Sequence, residues 1–267
     1  MNAVKIALFG AGGRMGRLFA DRLSAAGYAV GGVDRPLTQE ALRHAVDGAA
    51  AVLLCVPVEA MDEVLRQVAP LLDGMQVLAD ITSVKVRPMQ VMARHYAGPV
   101  VGTHPLFGPV PPAPASGQDP AENLRVAVTP GQGAHEADVA LVERVFRDMG
   151  CVPFRTTADE HDEAAACIQG LNFITSVAYL ATLAHRDDLT PFITPSFRRR
   201  LDAARKMLTE DASLFEGMFE ANPHSQTAVR SYLSFLNFAA AGDVDVLVDR
   251  AQWWWRSHTE RGGVRPS

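Results

Sequence analysis

Apolar and polar positions along this chain fall into two textures. From residue 4 to residue 156, short apolar runs alternate with stretches of helical period. Val4–Phe9 is an uninterrupted apolar run of the kind a buried strand requires. After a glycine cluster, Met15, Leu18, Phe19, Leu23 and Ala26 recur at helical spacing, Gly27 supplies a stop, and residues 28–33 resume as a strand ending at Asp34. The alternation continues with strands over 50–57, 76–82, 99–106, 125–130 and 151–156, and helices over 59–72, 85–95 and 135–149. Such alternation predicts a parallel sheet with helices on both faces, an α/β doubly wound domain. Residues 107–122 are rich in proline and predict an irregular loop. Beyond Ala158 only helical periods remain, over 160–184, 194–209, 212–221, 223–240 and 243–260, with Asp243 placed as an N-cap. The expected division is an α/β domain over 1–157 and an all-helical domain over 158–267.

The glycine cluster gives the first half its expected ligand. Gly10, Gly12, Gly13 and Gly16 crowd the strand-to-helix turn, with Arg14 and Met15 between them. A pyrophosphate reaches backbone N–H groups at a helix N-terminus only where no Cβ intervenes, and an acid ending the next strand can accept hydrogen bonds from a ribose diol. Gly16 falls one place later than in G-x-G-x-x-G, with Met15 in the usual slot. A tight turn in another α/β protein is the bland alternative. Asp34 favours NAD over NADP, because a carboxylate there repels a 2′-phosphate, although Arg35 next to it could partly offset that. Val56 and Pro57, ending the third strand, complete the expected cofactor set.

Composition narrows the partners. A net charge of −5 gives no electrostatic reason to expect nucleic acid or an anionic membrane. Three cysteines are far apart, with Cys55 and Cys167 in apolar runs, which reads as free buried thiols in a cytoplasmic protein. No metal motif appears among the eight histidines. The uncharged stretch Ala164–Ala184 is long enough to cross a bilayer, but Gln169, Asn172 and its acidic flank argue for burial against a second subunit instead. Trp253, Trp254 and Trp255 cannot all face one core, which either points to a further interface or reflects ordinary groove filling.

Candidate chemistry collects where strands end. Thr82-Ser83-Val84-Lys85 and Thr103-His104-Pro105 follow apolar strands, and ligands bind at the carboxyl ends of strands in doubly wound sheets. His104 is placed either for proton transfer beside a nicotinamide or as a satisfied core histidine. These pieces resemble the prephenate dehydrogenases, in particular the bacterial type fused to chorismate mutase, here without the mutase. The matching motifs are GAGGRMGRLF, CVPVE, DITSVKVRPMQVM, GTHPLFGP, DEHDEAAACIQGL and the TPSFRRRL to NPHS region.

The resemblance implies a Rossmann-type domain followed by a helical substrate and dimerisation domain. It implies oxidative decarboxylation of prephenate with NAD, in tyrosine biosynthesis. By motif, His104 would accept the proton of the 4-hydroxyl, Ser83 would orient His104 and the nicotinamide, and Lys85 would support the site electrostatically. Arg198 and Lys206, with Arg205 adjacent, would bind the substrate carboxylates; a solvated basic face is the alternative. Two positions depart from the family pattern. Lys206 stands where an arginine is expected, and Phe173 where a histidine is expected. They keep open the amino analogues arogenate and 4-amino-4-deoxyprephenate. His161 either caps a helix or faces the site. A β-hydroxyacid dehydrogenase or imine reductase would call for a lysine on the 160–184 helix, which has none, and a degenerate NAD-sensing protein would not need His104, Ser83 and Asp34 intact.

Overall fold

The protein is described by a computed structural model covering residues 3–110 and 124–256. The expected loop over 107–122 lies outside these residues from 111 onward, and so does the expected helix end at Glu260. The described residues form two compact units. One comprises the chain up to Ala165 together with Ala212–Pro223; the other comprises Ala166–Asp211 and the chain from His224. The expected boundary at 157 is therefore displaced. Helical turns continue without a break from Ala158 to Thr182, and the division falls inside them. A helix can carry the chain from one unit to the next without the composition change that marks a loop.

In the first unit, β1 (Lys5–Phe9), α1 (Arg14–Ala25), β2 (Ala29–Val33), α2 (Gln39–Val46), β3 (Ala49–Leu54), α3 (Val58–Val68), β4 (Val77–Asp80), α4 (Val86–His95) and β5 (Val100–Pro105) alternate as expected. The helix α2 was not anticipated. It is only eight residues long, but its signals are present in Thr38, whose hydroxyl accepts from Ala41 N, and in the buried Leu42, Ala45 and Val46. Next come β6 (Arg125–Pro130), α5 (Glu136–Asp148), β7 (Val152–Arg155) and α6 (Ala158–Ala165). The seven strands are ordered β2-β1-β3-β4-β5-β6-β7.

One neighbour pair departs from a wholly parallel sheet: β6 runs antiparallel to β5, with His104 opposite Ala127. A parallel neighbour needs a crossover connection, whereas an antiparallel one lets the chain re-enter the sheet from the end at which it left.

Alternate residues on each strand enter opposite cores. Phe9, Val52, Leu54, Leu78 and Val100 pack with α2, α3 and α4, while Ile6, Leu8, Ala51, Leu53, Val77 and Val101 pack with α1 and α5. By this parity His104 points to the face that α4 covers. The helix α9 (Ala212–Ala221) adds Met218 and Ala221 to a small cluster with Val84.

The second unit holds a single π turn at 166–170, then α7 (Leu171–Thr182), α8 (Pro195–Thr209), α10 (Ser225–Ala241) and α11 (Val244–Ala251). Asp243 occupies the N-cap position of α11 without a side-chain cap bond. The helical stretch Ala158–Thr182 is long and apolar enough to span a membrane by length and composition alone, yet little of it is buried within this chain. Its expected burial is thus not met by a single chain. Cys167, on the same stretch, is exposed rather than buried, because it lies on an outward face of the π turn, whereas Cys151 is buried in the first unit.

Candidate active site

The turn from β1 to α1 is built by close backbone packing. Gly10 has a φ of +80°, a conformation that a side chain would strain, and a Cβ there would lie 2.4 Å from the Cys55 carbonyl oxygen. A Cβ on Gly16 would lie 2.0 Å from the Gly10 carbonyl oxygen. The displaced glycine thus has a definite task. Since α1 begins after its N-cap Gly13, residue 16 is the one that meets the strand end, while Met15 packs half-buried against the core. Gly12 N donates to Asp34 Oδ2 at 2.5 Å and Arg35 N donates to Asp34 Oδ1 at 2.7 Å, so the carboxylate stands against the glycine turn. Val56 lies beside Gly10, and Pro57 is the N-cap of α3. Arg14 opens α1 and is exposed. Arg35 is paired with Glu63 at 3.1 Å. A turn that admits no Cβ, at the head of a helix and beside an acid, fits a dinucleotide pyrophosphate and its ribose.

Three strands away at the same end of the sheet, His104 is nearly sealed from solvent. Its Nδ1 lies 2.8 Å from Nε2 of His161, whose Nδ1 lies 2.8 Å from Asp162 Oδ1. The Nδ1 partner of His104 is therefore His161 and not Ser83, which sits half-buried at the bend leaving β4. Asp162 also accepts from Lys85 N at 2.6 Å and from Val86 N at 2.9 Å, satisfying donors at the start of α4. Asn222 Nδ2 donates to the Asp162 carbonyl at 2.7 Å.

Lys85 is fully buried beneath this cluster. Its ammonium donates to Asp80 Oδ2 at 2.5 Å and to the Thr103 carbonyl at 2.6 Å, so it is not free to contact a ligand. Burial pushes the Lys85 ammonium down and Asp80 opposes that shift. Burial, then His161 and Lys85, hold His104 well below the usual histidine value. The imidazole is thus kept neutral, the form that can accept a proton. Burial raises the Cys55 thiol far above its ordinary value, so it carries no thiolate chemistry. Among the described residues no group of three or more His, Cys, Asp or Glu is arranged to hold a metal.

In the second unit, the expected carboxylate-binding cations Arg198, Arg205 and Lys206 are all exposed on α8. Lys206 lies 3.8 Å from Asp211. Arg200 stacks on Tyr179 at 4.1 Å. Phe173 is buried on α7. Asp162 was missed at the sequence level and His161 left ambivalent. The one available signal was the pair His161-Asp162 within a single acidic segment, and nothing in that segment states which strand it meets.

Residues 23–154 match the family model described as prephenate dehydrogenase, nucleotide-binding domain; the glycine turn precedes the matched segment. The T-protein of Enterobacter agglomerans is 28% identical over 268 residues, covering 96% of this chain and 69% of that protein. The T-protein of Haemophilus influenzae is 25% identical, covering 96% and 68%. The crystal structure of the Aquifex aeolicus prephenate dehydrogenase in complex with hydroxyphenyl propionate and NAD+ superposes with a TM-score of 0.71 at 20% identity, over 94% of this chain and 96% of that one. At that identity the likeness is one of fold.

Proposed function

We propose that this chain, which belongs to the prephenate dehydrogenase family, catalyses the NAD-dependent oxidative decarboxylation of prephenate to 4-hydroxyphenylpyruvate in tyrosine biosynthesis. The observation that carries the reading is the buried imidazole of His104 at the carboxyl end of β5, on the same end of the sheet as the glycine turn. NAD supplies a hydride acceptor for C4 of the cyclohexadiene ring. Gly10, Gly12, Gly13, Arg14 and Gly16 would hold its pyrophosphate, Asp34 a ribose, and Val56 and Pro57 the wall beside them. His104 takes the 4-hydroxyl proton as the hydride leaves C4. The ring carboxyl departs as CO₂, its bonding pair entering the ring, and the proton returns to the oxygen as the phenol forms. Aromatisation supplies the driving force, so the protein's part is orientation and one proton.

Ser83 is assigned to the nicotinamide side of the site, and Lys85 to holding strand and helix around His104. Arg198, Arg205 and Lys206 are assigned to the two substrate carboxylates. The NAD preference over NADP is supported by the Asp34 carboxylate and by the engagement of Arg35 with Glu63, which leaves its guanidinium less disposed to meet a phosphate. The reading places the enzyme in the cytoplasm as a homodimer joined through the second unit, without a membrane or nucleic-acid partner. Support comes from large apolar side chains exposed on a single chain, among them Leu236, Phe238, Val246 and Trp254.

Phe173 and Lys206 favour one second reading, the same chemistry on an amino analogue, because both alter the groups expected around the substrate. NADH formation with prephenate, arogenate and 4-amino-4-deoxyprephenate separates the two. A kcat/KM highest for prephenate supports the first reading, and a clear preference for either amine overturns it.

A further inference from the structure

We propose that His161 and Asp162 are positioning residues that fix the tautomer of His104, holding its proton on Nδ1 and leaving Nε2 as the basic atom that meets substrate. The inference rests on the reading of His104 as the base and adds a direction to the hydrogen bonds behind it.

The argument starts at the head of α4. The Asp162 carboxylate accepts two backbone N–H groups there, from Lys85 at 2.6 Å and Val86 at 2.9 Å. An ionised carboxylate only accepts, and a helix N-terminus stabilises its negative charge. The third contact of that carboxylate, 2.8 Å to His161 Nδ1, therefore requires a proton on Nδ1. A neutral imidazole protonated on Nδ1 presents a lone pair at Nε2. At 2.8 Å from His104 Nδ1, that lone pair needs a donor, since two facing lone pairs would repel. His104 thus carries its proton on Nδ1. Both rings point the same way, and the direction is set by two peptide N–H groups that cannot reverse.

The surroundings hold the chain in place. The Asp162 carbonyl is tied by Asn222 Nδ2 at 2.7 Å, and both rings and the carboxylate are at most a few per cent exposed. Among the described residues, the charged and titratable groups facing His104 are His161 from α6 and Lys85 from the head of α4, with Asp162 behind His161 and Asp80, from the end of β4, behind Lys85. When Nε2 takes a proton, the Nδ1 proton stays where it is. No proton needs to travel along the chain; the rings give the base one acceptor face and one fixed orientation.

Two measurements test this on the full chain. Long-range ¹⁵N–¹H spectra of the imidazoles, assigned with His104→Asn and His161→Gln, are expected to show both His104 and His161 protonated on Nδ1 at neutral pH. His104 found protonated on Nε2 would overturn the proposal. In kinetics, His161→Phe, which offers no acceptor, is expected to lower kcat by at least ~10-fold with NAD affinity unchanged, and His161→Gln to recover part of the loss. An unchanged kcat in His161→Phe would also overturn it. The spectra need no substrate, so the two readings fail separately. Nδ1 tautomers in a protein that does not turn over prephenate would sink the proposed function and leave this inference standing; turnover with an Nε2-protonated His104 would do the reverse.

Discussion

The Lys85 ammonium lies 2.5 Å from Asp80 Oδ2 with both side chains wholly inaccessible to solvent. Its other strong contact, the Thr103 carbonyl, is the residue preceding His104, so the pair fastens β4, β5 and the head of α4 together under the site. Removing one partner of a buried pair leaves an uncompensated charge, at a cost of about 3–5 kcal/mol. Lys85→Met should lower the unfolding free energy by that order in a denaturant titration. Lys85→Met combined with Asp80→Leu should recover much of it. Unchanged stability in the single variant would show that the pair does not anchor the site.

His104→Asn should lower kcat by ~100-fold or more while leaving NAD binding intact, as loss of a general base predicts. Stopped-flow fluorescence for NAD and steady-state assays for kcat give the two numbers. Full activity would remove His104 from the chemistry.

The depressed His104 value has a sign that can be checked twice. Because the folded form resists protonation, the unfolded chain binds more protons below the ordinary histidine value near 6.5. Stability due to this group is complete above that pH and declines as the pH falls below it. The acid limb of kcat/KM should likewise lie below pH 6.5. An acid limb at or above that value would mean the imidazole is not held neutral by its surroundings.

Asp34→Asn should raise the NADP-to-NAD ratio of kcat/KM by ~10-fold or more, equivalent to about 1.4 kcal/mol of discrimination. The carboxylate would no longer repel a 2′-phosphate, and the carboxamide still offers Gly12 N an acceptor. An unchanged ratio would place cofactor selection elsewhere.

Light scattering at micromolar concentration should give twice the mass of one chain, and Phe238→Asp should bring it down to one. A wild-type monomer would leave the apolar faces of α10 and α11 without the assigned occupant.

Much of this could be read from the chain alone, for a local reason. β1, α1 and β2 were legible because strand burial, helical period and turn glycines are encoded within a few residues of one another. The placement of His104 at the end of β5 was legible because a polar residue interrupts an apolar strand at its carboxyl end. The displaced Gly16 looked like a defect in the motif and became intelligible only once the Gly10 carbonyl stood where its Cβ would be. The reversed direction of β6 is not legible, because strand direction depends on pairing with β5 and not on the residues of β6 itself.

Sequence determined what depends on neighbours along the chain: the α/β alternation, the glycine turn, the acid after β2 and the polar ends of β4 and β5. Tertiary structure decided what those residues touch. It buried Lys85 against Asp80, and it set the His161-Asp162 pair against His104, 57 positions away in sequence. Such contacts are chosen by how helices pack over a sheet face. That choice sums over many apolar side chains and leaves no local mark on the polar residues it brings together.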